Sequence, residues 1–121
     1  MTLELALAAA RAAAEKTLEE TVVLDLSGLD ALTDYFVVTA GRNDRQVRAI
    51  VDEVTKQLRE NLRTAPRHIE GVKDARWVLL DYGDVVVHIF DAESRDFYAL
   101  ERLWSDTTRV EWELPRTTAR V

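Results

Sequence analysis

The sequence has no cysteine among its 121 residues. It therefore offers no disulfide framework, no thiolate zinc site, no iron–sulfur cluster and no cysteine nucleophile. Cysteine-free chains of this kind are typical of reducing compartments, so we expect a cytoplasmic protein. No stretch approaches the ~20 apolar residues of a membrane-spanning helix. Residues 1–16 are rich in alanine but include Glu4 and Arg11, so we expect neither a signal peptide nor a membrane segment.

Glycine and histidine are also scarce, with four and two residues respectively. The glycines are never closely spaced, which excludes a P-loop and a dinucleotide-binding fingerprint. Neither His68 nor His88 has the spacing to carboxylates that typifies a metal site, and no Gly-x-Ser-x-Gly element is present. We therefore expect no cofactor, no metal and no catalytic residue. The glycines are Gly28, Gly41, Gly71 and Gly83.

Basic charge is in the minority, because 22 acidic side chains outnumber 16 basic ones and leave a net charge of −6. This balance argues against a protein that is held by phosphate contacts alone. The charge is unevenly distributed: residues 1–40 carry −5, residues 41–76 carry +3, and residues 77–113 carry −6. Such clusters are usually solvated faces. Alternatively, the acidic C-terminal half meets a basic protein, with charge complementarity setting register and association rate.

What is present is an ordinary globular composition, 47% hydrophobic and 31% charged, enough for one domain. Asn43 and Gln46 form a capping-box pattern ahead of an amphipathic helix that runs to Leu62, and Gly83-Asp84 separates two apolar strands as a tight hairpin would. The predicted order is α-β-β-α-β-β-β-α, a single α/β or α+β domain with a mixed sheet of about five strands. Helices are predicted over 3–19, 43–62 and 93–104, and strands over 21–26, 35–39, 67–70, 77–82 and 85–90.

Three aspartates flank the last two predicted strands and raise the question of catalysis. Asp81, Asp84 and Asp91 are candidates to hold a divalent metal, as nucleotidyl-transfer enzymes require. That chemistry also needs a phosphate-cradling glycine loop, which the chain lacks. The alternative is structural: Asp81 and Asp84 bracket the hairpin, and Asp91 caps the following helix.

The strand Trp77 to Tyr82 is apolar on both faces until its acidic end. Alternation puts Trp77, Leu79 and Asp81 on one face and Val78, Leu80 and Tyr82 on the other. Either helices cover both faces, or another molecule completes one of them. Aromatic residues rimmed by acidic ones are typical of a protein interface.

Two segments of the chain resemble the ribosomal silencing factor family, also called RsfS or Iojap. They are LDLSGLDALTDYFVVTAGRNDRQVRAIVDEV and WVLLDYGDVVVHIFDAESRDFYALERLW, and the resemblance spans roughly residues 6 to 106. It implies a fold shaped like a nucleotidyltransferase without the catalytic apparatus. It further implies binding to protein fourteen of the large ribosomal subunit, where the bound factor blocks joining of the small subunit and represses translation when nutrients are scarce.

On this resemblance we expect a silencing factor domain over residues 1–106 and a tail of unknown role over residues 107–121. The expected contact with the ribosomal protein centres on Trp77, Asp81, Tyr82, Asp84 and His88. Phe97, Tyr98 and Trp104 are further candidates, unless they hold the last helix on the sheet. A minor contact of Arg42 to Arg48 with ribosomal RNA and a homodimer remain open. The alternatives are the metal-dependent enzyme and a small self-associating structural module.

Overall fold

The computed structural model describes residues 2–29, 31–94 and 107–113. These residues form two α-helices and a six-stranded sheet. The helices are α1 (Thr2–Ala14) and α2 (Asp44–Leu62). The strands are β1 (Val22–Asp25), β2 (Tyr35–Gly41), β3 (His68–Glu70), β4 (Trp77–Asp81), β5 (Val85–Asp91) and β6 (Thr108–Arg109). Across this part of the chain, neither helix has the length and apolar character to cross a membrane.

The sheet is mixed, as the sequence predicts. Its strand order is β3-β4-β5-β2-β1-β6. The central strands β2 and β5 run parallel, and every other neighbouring pair is antiparallel. The parallel pair lies at the middle of the sheet, where both faces are shielded from solvent, which explains the continuous apolar runs of β2 and β5.

One face of the sheet, here called the helix face, is covered by both helices. Helix α2 contributes a stripe of branched apolar side chains from Val47 to Leu58. Helix α1 contributes only alanines to its fully buried positions, so its backbone lies close to the sheet. The strands meet them with buried residues such as Val37, Val87 and Ile89.

The other face, here called the second face, has its own buried apolar cluster. It consists of Val22, Leu24, Leu26, Val38, Ala40 and Phe90, with Ala31, Phe36 and Trp77 packed against it. The sheet is therefore buried on both faces near its centre, and side chains from β4 at one side of the cluster are only half-buried.

Three parts of the sequence prediction are corrected or fall outside the described residues. The first helix ends at Ala14 rather than near residue 19, because Thr17 turns its hydroxyl to donate a 2.7 Å hydrogen bond to the carbonyl of Ala40. Leu18, which lies within the helix predicted over 3–19, follows the end of α1 and is fully exposed. Strand β6 was not predicted. Residues 92–94 are helical, as the prediction of a helix over 93–104 requires, and the rest of that predicted helix lies outside the described residues.

Candidate partner-binding surface

The five predicted contact residues lie at three positions on the β4–β5 hairpin: the second face, the helix face and the hairpin tip. Its register pairs Trp77 with Phe90, Leu79 with His88, and Asp81 with Val86. Because side chains alternate along a strand, Trp77, Asp81 and His88 share the second face. Tyr82 points to the helix face and Asp84 lies at the hairpin tip. The additional candidates Phe97, Tyr98 and Trp104 lie outside the described residues.

Trp77 and His88 form a hydrogen-bonded aromatic pair. The indole N–H of Trp77 donates to Nδ1 of His88 over 3.1 Å. The Trp77 ring also stacks on Phe90, with centroids 5.1 Å apart, and Phe36 meets the imidazole edge-on at 4.5 Å. Trp77 is half-buried. It therefore combines a fixed ring orientation with a partly open edge, as interface aromatics do.

His88 supports this arrangement from beneath the surface. It is only 4% exposed, and burial lowers the pKa of its imidazole to about 4. The ring is therefore neutral near pH 7. Because Nδ1 accepts the indole proton, the ring's own proton lies on Nε2. Within the described residues, Nε2 has no hydrogen-bond partner.

Asp81 is an acidic residue fixed at the end of β4. Its Oδ1 accepts the backbone N–H of Gly83 at 2.8 Å, and a guanidinium nitrogen of Arg67 lies 3.8 Å away. Gly83 has a φ of +92°, the left-handed backbone that the first central position of a type II′ turn requires. The carboxylate therefore holds the hairpin turn while its side chain remains 30% exposed.

Asp84 joins the hairpin tip to the loop between β1 and β2. Its carbonyl accepts the backbone N–H groups of Asp34 and Tyr35 at 2.8 and 3.1 Å. Its carboxylate is exposed and accepts a 3.4 Å hydrogen bond from the hydroxyl of Thr2. The main chain of Asp84 thus anchors the tip, and its charge is presented to solvent.

Tyr82 is separated from the other predicted contact residues by the sheet itself. Its side chain is 8% exposed and belongs to the core cluster beneath the helices. Burial raises the pKa of its hydroxyl to about 12. In this conformation Tyr82 therefore contributes to the position of the hairpin and presents little surface of its own.

The second face also contains half-buried side chains that the predicted site did not include. Leu79 and Val86 lie beside Asp81 on the second face, and Phe36 of β2 pairs with Val86. Leu79 was within reach of the sequence, because alternation places it with Trp77 and Asp81. Val86 and Phe36 depend on the register between strands, which local patterns do not give. We call the set Trp77, Leu79, Asp81 and Val86 the β4 face.

The three aspartates proposed for a metal site do not converge. Asp81 and Asp84 lie at one end of β5 and Asp91 at the other, and seven residues of strand separate the ends by about 20 Å. Oδ1 of Asp91 instead accepts the backbone N–H of Ser94 at 2.7 Å, the capping geometry that the structural alternative predicts. Among the described residues, no group of three metal-ligating side chains lies close enough to hold an ion.

Comparison with known proteins shows the family to which the chain belongs. The family model described as ribosomal silencing factor during starvation matches residues 1–121. The chain belongs to the RsfS family. Ribosomal silencing factor RsfS of Bacillus subtilis is 44% identical over 98 residues, covering 81% of this chain and 82% of that protein. A crystal structure from Chromobacterium violaceum has a TM-score of 0.82 at 30% identity, covering 95% of this chain and 94% of that one.

A more distant relative is named for an assembly role. Mitochondrial assembly of ribosomal large subunit protein 1 of Mus musculus is 36% identical over 75 residues, which cover 60% of this chain and 33% of that protein. In this RsfS family member, the segments that carried the sequence resemblance occupy adjacent parts of the fold. Residues 24–54 run from β1 into α2, and the second segment begins with the β4–β5 hairpin. The β4 face therefore lies within the second of the two segments that carried the resemblance.

Proposed function

We propose that this protein binds the large ribosomal subunit through that subunit's protein fourteen and blocks docking of the small subunit, repressing translation under nutrient limitation. The family description names ribosome silencing during starvation, and the mouse relative is named for the large subunit. Both names concern the ribosome, and neither describes a catalysed reaction.

The observation that carries the proposal is the composition of the β4 face. Half-buried apolar side chains of Trp77, Leu79 and Val86 share the second face with the carboxylate of Asp81, and the exposed Asp84 follows at the hairpin tip. Protein interfaces combine an aromatic centre with a charged rim in this way. The negative rim suits a basic ribosomal protein.

The basic side chains just before and within the first turns of α2 are candidates for a minor contact with ribosomal RNA. Arg42 and Arg45 are exposed. Arg48 is already engaged, since its guanidinium binds Asp44 at 3.3 Å and donates to the carbonyls of Val72 and Lys73. We therefore propose Arg42 and Arg45, rather than Arg48, for this contact.

The test is co-sedimentation of the purified protein with large ribosomal subunits. The variant Asp81→Asn/Asp84→Lys removes the acidic rim, and asparagine keeps the oxygen that accepts the Gly83 N–H. We expect its affinity for the subunit to fall by roughly tenfold or more, about 1.4 kcal/mol, with an unchanged circular dichroism spectrum.

The matched control is Asp52→Asn/Glu60→Lys on the exposed side of α2, which changes the net charge by the same amount. It should bind like the wild type. Equal losses in both variants would show that only net charge matters, and wild-type binding by the rim variant would remove the β4 face from the proposal.

A further inference from the structure

A concave surface lies near the edge of the sheet farthest from the β4 face. It is a cleft of about 860 Å³ between the loop that follows α1 and the segment that includes β6. One wall comprises Arg11, Ala14, Glu15 and residues 17–21, and the other comprises residues 109–113. Since β6 and β3 lie at opposite edges of the sheet, the cleft is separate from the surface proposed for ribosome binding.

The walls of the cleft are held by specific hydrogen bonds. The backbone N–H of Val110 donates to the carbonyl of Val23, and the indole N–H of Trp112 donates to the carbonyl of Thr21, both over 2.8 Å. The guanidinium of Arg11 donates to the carbonyl of Trp112 over 3.1 Å. A site fixed in this way binds a ligand with little additional ordering of its own side chains.

The lining is acidic, with five glutamates and two arginines. Both arginines are already engaged: Arg11 binds the Trp112 carbonyl, and Arg109 forms a 2.7 Å ion pair with Glu20. Glu15 accepts a hydrogen bond from Gln57. Within residues 2–29, 31–94 and 107–113, no cation pairs with the three remaining glutamates, which are Glu19, Glu111 and Glu113.

The cleft also has an apolar component. Leu18 lies at the edge of the cleft and is fully exposed. It follows the end of α1, although the helix predicted over 3–19 included it. Trp112 is half-buried, with its only polar atom already bonded to Thr21, so the remaining accessible ring surface is apolar. Exposed leucine and partly exposed tryptophan inside a concave, acidic surface are a combination that recognises an amphipathic ligand rather than a simple cation.

We propose that this cleft binds an extended peptide segment of a partner protein, one that alternates lysine or arginine with large apolar residues. In an extended chain, successive side chains point to opposite sides, so cations can reach Glu19, Glu111 and Glu113 while apolar side chains contact Leu18 and Trp112. An acidic lining repels nucleic acid. The proposal is independent of the ribosomal function proposed above, because it uses none of the β4-face residues.

The test is nuclear magnetic resonance titration of the isotope-labelled full chain with an acetylated, amidated peptide RLKLRLK. We expect saturable chemical-shift changes confined to residues 11–21 and 107–113, with weaker binding as salt is added. The charge-inverted peptide ELELELE should cause none. Shift changes spread over all acidic surfaces would overturn the proposal. So would a Kd weaker than about 1 mM, seen as a titration that does not approach saturation at millimolar peptide.

Two variants and one control test the cleft residues. Glu19→Gln/Glu111→Gln/Glu113→Gln should raise the Kd for RLKLRLK by about tenfold, and Leu18→Ser should weaken binding as well. The control Glu4→Gln/Asp52→Asn/Glu60→Gln changes net charge equally at exposed acids outside the cleft and should bind like the wild type. Equal losses in the triple variant and control, or full affinity in Leu18→Ser, contradict the proposed site. Subunit co-sedimentation of all these variants should be unchanged, which separates this test from that of the ribosomal function.

Discussion

At the scale of single residues, the buried imidazole of His88 links the stability of the fold to the β4 face. It is enclosed by Phe36, Trp77 and Phe90, and Trp77 donates a hydrogen bond to it. The sequence analysis placed His88 in the expected contact, and the structure shows it hydrogen-bonded to Trp77 beneath that surface. The identity of its partner was not predictable, because it depends on how β4 pairs with β5.

Protonation of His88 should destabilise the protein at mildly acidic pH. Burial lowers its pKa from 6.5 to about 4, so the unfolded chain binds the proton more tightly than the folded one. Its contribution to the free energy of unfolding is present above pH 6.5 and is lost as the pH falls toward 4. The loss amounts to about 3 kcal/mol. Urea unfolding of the wild type and of His88→Gln across this pH range measures it.

Glutamine at position 88 keeps an acceptor for the Trp77 indole but does not titrate. The variant is expected to be less stable than the wild type near pH 7 and to lose less stability on acidification. The matched control is His68→Gln, which alters a histidine whose side chain is 58% exposed. If His88→Gln and the wild type lose stability in parallel, His88 is not the group responsible.

At the scale of secondary-structure elements, boundaries set by residues close in sequence were predicted correctly, and boundaries set by distant residues were not. The start of α2 was predicted from Asn43 and Gln46, and both act there: Asn43 Oδ1 accepts the Gln46 N–H, and Gln46 Oε1 accepts the Arg42 N–H, each over 2.8 Å. The end of α1 depends instead on Ala40, distant in sequence. Strand β6 has only two residues and exists through pairing with β1, which no local pattern reveals.

The N-cap of α2 is expected to stabilise the whole domain. Asn43→Ala leaves the Gln46 N–H without its side-chain acceptor and should lower the free energy of unfolding by about 1 kcal/mol. Asn43→Asp retains an acceptor oxygen and adds a negative charge near the helix N-terminus, so it should be at least as stable as the wild type. Midpoints of urea unfolding measure both changes. A loss of similar size in Asn43→Asp would contradict the capping role.

At the scale of the whole molecule, acidic side chains lie on two separate surfaces. One is the β4 face with the hairpin tip, and the other is the cleft, which combines glutamates from residues 15–20 with glutamates from residues 111–113. The sequence predicted an acidic, aromatic contact around Trp77 and Asp81, and the structure places these two residues on one face. The sequence could not show that Tyr82 is buried while Trp77 and Asp81 are partly exposed. Both faces of β4 are apolar, and only the position of the helices reveals which face is covered. The cleft beside β6 was likewise beyond sequence reasoning, since its walls come from residues about 90 positions apart.

A protein that acts by occupying a surface should inhibit in proportion to the number of molecules bound. Light scattering measures the joining of purified ribosomal subunits. We expect joining to fall as this protein is added and to reach a plateau at about one molecule per large subunit, as mass action requires for tight binding at one site. Preincubation time should not matter once binding is complete. A metal-dependent enzyme would instead act well below stoichiometry, with an effect that grows with time and disappears with chelator. That outcome would contradict steric blocking. The Asp81→Asn/Asp84→Lys variant should reach the same plateau but only at a higher concentration, because its defect lies in binding.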